Sequence, residues 1–113
     1  MRRFKSGAFR DNDKQKINII GSFSPLVIRR FAEFMRDHNI KEGALQRDEA
    51  NWKKGMPTKS YFESKARHWL DTWLTFEDYE NFNIEDLLCA DLFNTMGHLH
   101  EILIKKLKRR KND

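Results

Sequence analysis

The residues of this chain whose types and spacing suit chemistry lie between Ile84 and Leu107. Asp86, Ala90, Asn94, Gly97 and Glu101 recur at intervals of three and four, which at about 100° per residue places them in one narrow stripe of a helix. Glu85 and Asp91 flank that stripe. Oxygen ligands set among the two smallest side chains leave room for something to approach closely. Carboxylates and an amide on a packed face need partners, and a hard cation such as Mg²⁺ is a common one. Glycine in mid-helix costs about 1 kcal/mol relative to alanine, so Gly97 implies an object lying against it: a ligand or a neighbouring helix.

Two further groups could take part. His68 stands beside Arg67 and Asp71, on the side of a helix that also carries Ser64, with Tyr61 alongside. In Asn51-Trp52-Lys53-Lys54-Gly55, Trp52 could stack on a base with Lys53 and Lys54 on phosphates, or it could simply pin its loop to the core.

The elements that must position these groups read as all-α, a small bundle of three main helices. Ser24 caps and Pro25 opens the first, about 24–38, with Val27, Ile28, Phe31, Phe34 and Met35 at helical spacing. Ser60 and Glu63 read as a capping box for a second helix, about 60–75, whose expected buried face is Phe62, Ala66, Trp69, Leu70 and Trp73. Asn83 can cap the third, about 84–108, whose expected core arc is Leu88, Cys89, Leu92, Phe93, Met96, Leu99, Ile102 and Leu103. Residues 1–23 read as an extended arm with a short strand-like piece at 17–20. Residues 40–59 read as a loop, long enough for a compact domain to imply function or mobility. A helical layer this thin is expected to complete its core or site by dimerisation.

The 113 residues make one domain with a modest core. No run approaches the roughly 20 apolar residues of a membrane span, and the start lacks the apolar stretch of a signal peptide, so the expected compartment is the cytoplasm. One cysteine, Cys89, excludes disulfides and cysteine-based zinc sites within a chain. The net charge of +5 is unevenly placed: the two ends hold 12 of the 22 basic residues, leaving residues 17–104 with 10 basic against 14 acidic. Such ends could meet an anionic ligand, a nucleic acid or a host protein, or serve solubility and match the helix dipole.

Arg3-Phe4, Ser6-Gly7-Ala8, Arg10-Asp11, Ser24-Pro25-Leu26-Val27, Arg30-Phe31-Ala32-Glu33, Asn51-Trp52-Lys53-Lys54-Gly55, Arg67-His68, Glu85-Asp86-Leu87-Leu88-Cys89-Ala90, Phe93-Asn94 and His100-Glu101 together resemble a phage and prophage family, the dATP/dGTP diphosphohydrolases of amino-terminal type. The resemblance implies hydrolysis of deoxypurine triphosphates to monophosphate and pyrophosphate with Mg²⁺ or Mn²⁺, in the host cytoplasm. It assigns the metal to Glu85, Asp86 and Asp71, the water's proton to His68 or Glu63, phosphate oxygens to Arg67, Lys53 and Lys54, and the base or sugar to Asn94. The family is distantly similar to the all-α MazG-like pyrophosphohydrolases. Their Glu-Glu-x-x-Glu helix is absent here, so their metal cage does not transfer. The alternative is a non-enzymatic phage accessory protein that binds nucleic acid or a host protein through its basic ends.

Overall fold

The computed structural model describes residues 2–3, 5–7, 9–10, 16–41, 44–45 and 47–112. Helices dominate. The amino-terminal segment contributes a two-residue hairpin, β1 (Arg2–Arg3) with β2 (Phe9–Arg10), and a single turn, α1 (Ile19–Ser22), which Asn18 caps through its side chain. The strand-like piece expected at 17–20 is therefore partly helical, and Ile17, Ile19 and Ile20 are exposed.

Helix α2 (Pro25–Asp37) starts as its sequence dictates, with Ser24 Oγ accepting from the Val27 amide at 3.3 Å and Pro25 at a position where its missing N–H costs nothing. Between α2 and the next long helix lie a second hairpin, β3 (Ile40–Lys41) with β4 (Ala44–Leu45), and a 3₁₀ turn at Asn51–Lys54. Gly55 ends that turn at φ +106°, a conformation that favours glycine. The segment 47–56 is tied down at three points. Asn39 Nδ2 donates to Arg47 O at 2.7 Å, the Met56 amide donates to Glu101 at 3.2 Å, and Trp52 meets His100 edge-on at 4.9 Å.

Helix α3 (Thr58–Phe76) begins two residues before the expected capping box. Pro57 occupies the cap position, and Glu63 pairs with Lys59 at 3.7 Å. The helix stops at Asp78, whose φ of +63° turns the chain while the Tyr79 amide bonds back to Leu74 O. Asn83 Oδ1 then accepts from the Asp86 amide at 3.0 Å and starts α4 (Ile84–Asn112), which runs 29 residues and takes in the basic end.

The packing reverses the expected faces. Helices α3 and α4 run antiparallel and form the main interface, with α2 laid more lightly against α4. The buried side of α4 is the polar and small stripe: Leu87, Ala90, Asn94 and Gly97 are enclosed, and Asp86 and Glu101 half-enclosed. From the apolar arc only Cys89 is buried and Phe93 half-buried, while Leu88, Leu92, Leu99 and Leu103 are exposed. In α3 the interior residue is Tyr61, and Phe62, Trp69 and Trp73 face outward. The reason is close approach: Tyr61 lies across Gly97, where a methyl would fall 2.7 Å from its hydroxyl oxygen and nearer still to its ring. The expected object against Gly97 is thus a neighbouring helix. A small cluster of Phe34, Cys89 and Ala90, flanked by Phe31 and Met35, seats α2, and burial pushes the Cys89 thiol pKa up.

Candidate functional site

Three short contacts set how α3 lies on α4. Asn94 Nδ2 donates to Ser64 Oγ at 3.4 Å, Lys65 Nζ donates to Thr95 Oγ1 at 2.7 Å, and Tyr61 meets Phe93 edge-on at 5.8 Å. One turn along in this antiparallel register, His68 comes level with Ala90. A cavity of about 430 Å³ opens there between α2, α3 and α4, within the range of ligand pockets. Helix α3 lends it Ser64 and His68, and α4 lends Asp86 and Asn94. His38, at the end of α2, and Arg47 bring cationic or protonatable groups, while Phe34, Phe82 and Phe93 supply aromatic wall.

The polar groups are unevenly satisfied. His68 Nδ1 is buried without a partner among the described residues. His38 Nδ1 donates to Phe34 O at 3.1 Å, which leaves Nε2 as the acceptor in the neutral ring. Asp86 is engaged: Arg30 Nη2 donates to its Oδ1 at 2.8 Å, and Arg30 Nε donates to Glu85 Oε1 at 2.8 Å. One guanidinium therefore bridges two adjacent carboxylates. Those bonds, Asp86's first, push the pKa of an already permanently charged group further up.

Glu85 and Asp86 thus already converge on one cation. Among the described residues no three His, Cys, Asp or Glu side chains stand close enough to cage a metal, and Asp71 is not brought to the pair. Mg²⁺ needs no such cage, because it is commonly held by one or two carboxylates with waters and substrate phosphates completing the shell. The donors fit that mode, provided Arg30 yields its place.

Other expected site residues are dispersed. Trp52 lines a second, adjoining cavity of about 310 Å³. Lys53 rests its ammonium 5.6 Å from the Trp52 ring centre, and Lys54 pairs with Asp48 at 3.5 Å. Glu63, Arg67 and Asp71 line neither cavity. The sequence reading gave no site role to Arg30, His38, Asn39 or Arg47. Arg30 carried a readable signal, since it lies one turn before Phe34 on the apolar side of α2 and so needed an acidic partner.

No protein-family model, curated protein or solved structure matches the chain. Among the described residues, no helix is long and apolar enough to cross a membrane.

Proposed function

We propose that the chain hydrolyses deoxypurine nucleoside triphosphates to monophosphate and pyrophosphate in the cavity between α2, α3 and α4. The observation that carries this reading is that one cavity collects His68, Asp86 and Asn94 from two helices, with Arg47 and His38 from the segments around them. Arg47 and His38 meet phosphate oxygens, and Asn94 orients the sugar. His68, whose buried Nδ1 has no partner among the described residues, takes a proton from the attacking water. The water oxygen bonds to the α-phosphorus, the bond from that phosphorus to the bridging oxygen breaks, and pyrophosphate leaves. Glu85 and Asp86 would hold Mg²⁺ or Mn²⁺, which when bound offsets the phosphate charge. The functional unit is a homodimer.

Purified protein, Mg²⁺ and each deoxynucleoside triphosphate test the reading through pyrophosphate release. dATP and dGTP should be turned over, and His68→Ala should lower kcat by about 10²-fold or more, the usual contribution of a general base. No pyrophosphate from any substrate, or an unchanged rate in His68→Ala, would remove the assignment. One observation favours a second reading. The last turns of α4 are regular helix with Lys105, Lys106, Lys108, Arg109, Arg110 and Lys111 all exposed, a surface suited to nucleic acid or an acidic host protein. That reading predicts binding that weakens steeply with salt and is lost on trimming 105–113, with no nucleotide turnover.

A further inference from the structure

Seven of the twelve residues from Ile17 to Ile28 are large, apolar and exposed, Ile17 at 89% and Ile20 at 90%. They sit on α1, on the bend at Phe23 and on the first turn of α2, which together form an elbow. Single exposed apolar residues are ordinary on a protein surface, but a run of this density is not.

Geometry selects the kind of partner. Leu26, Val27 and Ile28 are consecutive in a helix, so at about 100° per residue they point in three directions spanning about 200°. Ile19 and Ile20 diverge in the same way. A neighbouring helix covers one face, as the periodic apolar surfaces of α3 and α4 invite. A tip that is apolar on several sides needs a medium that surrounds it, and the acyl boundary of a bilayer is one.

Charge sets the sign of that surface. From Lys16 to Ala32 the chain has three cations and no carboxylate. Arg30 is turned to Glu85 and Asp86, whereas Arg29 is largely exposed, 3.8 Å from Glu33, and Lys16 is exposed. Residues 1–16 carry six cations against two acids, Asp11 and Asp13. Cations flanking an apolar tip suit an anionic lipid surface, where each nearby lysine or arginine strengthens binding by about fivefold.

We propose that the elbow of α1 and α2 is a peripheral attachment to an anionic bilayer, with Ile17, Ile19, Ile20, Phe23 and Leu26 entering the boundary between headgroups and acyl chains. Insertion of this kind reaches about 5–10 Å and crosses nothing. It is independent of the hydrolase reading.

Co-sedimentation of the full chain with phosphatidylcholine vesicles, with and without phosphatidylglycerol, tests it. The parent should pellet with the mixed vesicles and bind pure phosphatidylcholine at least about tenfold more weakly, with the difference shrinking as salt rises. Ile20→Asp with Leu26→Asp should weaken binding to the mixed vesicles by about tenfold or more, because a carboxylate resists entry into lipid. Both side chains are exposed, so the melting temperature should hold. A spin label at Ile20→Cys should become shielded from a water-soluble relaxation agent on the mixed vesicles, while one at Lys108→Cys should stay accessible; Cys89 is buried and escapes labelling. If the double variant melts early, the parent's lipid preference and the label still decide. No pelleting with the mixed vesicles, or equal pelleting of parent and double variant, overturns the proposal. So does loss of binding on trimming 105–113 with the elbow intact, which would make the basic tail the attachment. A change in oligomeric state of the double variant without lipid also overturns it, since the elbow would then be covered by protein. Pyrophosphate release is scored separately, so each of these failures leaves the hydrolase reading standing.

Discussion

At the scale of single residues, the chain puts small and polar groups where large apolar ones are usual, and Gly97 shows why. Its missing Cβ is the space that the Tyr61 ring occupies, so glycine's conformational cost is offset by close contact between α3 and α4. In an unpacked helix Gly97→Ala would gain about 1 kcal/mol. Here the added methyl must displace a buried ring, which costs about 1–3 kcal/mol. We expect a net loss of stability, read as a lower melting temperature; a variant as stable as the parent would show that the contact is not tight. Residue-level features were legible to different depths. The stripe through Asp86, Ala90, Asn94 and Gly97 could be read from spacing, as could the caps at Ser24 and Asn83. What the stripe faces could not, because a helix presents the same period whether its partner is a ligand or another helix. Asn39 was invisible for a related reason: burial of an amide just past a helix end is set by the loop that folds over it.

At the scale of elements, α2 is the most lightly docked of the three long helices. It touches α4 through the small cluster around Phe34 and through Arg30, and that same arginine holds the two carboxylates proposed to bind metal. Docking α2 and opening Glu85 and Asp86 are therefore opposed. Arg30 is about one-third exposed and its partners more so, so solvent screens both ion pairs and keeps their contribution to docking small. Arg30→Ala should accordingly raise amide exchange across α2 while leaving α3 and the middle of α4 protected, and it should tighten Mg²⁺ binding. Hydrogen exchange and a metal titration read the two effects separately. Unchanged exchange in α2 would mean that Phe34 and its neighbours hold the helix alone. Weaker Mg²⁺ binding would mean that Arg30 orients the carboxylates and does not block them. The helix boundaries themselves were legible in the sequence to within a turn, since caps and breakers are local. The inward faces of α3 and α4 were not, since apolar periodicity says only that a face is covered and not by which chain.

At the scale of the molecule, that uncovered face is the strongest constraint on how the protein works. The Cα radius of gyration is 19.5 Å, against roughly 13 Å for a compact domain of this length. On α3, Phe62 is 66% exposed, Trp69 57% and Trp73 53%, all on the flank away from Ser64 and His68, and the two indoles touch at 5.3 Å. On α4, Leu88, Leu92, Leu99 and Leu103 are exposed too, on the side of the helix turned away from α3. Aromatic side chains span about 150–250 Å² each, so these residues expose on the order of 800 Å², close to one side of a standard interface. Patches this large are uncommon on monomers. A second copy offers the same surface, and two helix pairs meeting face to face would make a four-helix core from the arcs that a single chain leaves in water. Because the face lies on the far side of α3 from His68, dimerisation would cover it without closing the cavity. Trp69→Glu with Trp73→Glu should therefore convert a dimer into a monomer in sedimentation at micromolar concentration, where burying two charges opposite their own copies is prohibitive. The same variant should lose thermal stability, since α3 and α4 would keep only their narrow polar seam. If the parent chain sediments as a monomer at those concentrations, or the double variant remains dimeric, the apolar face belongs to a different partner and the homodimer falls.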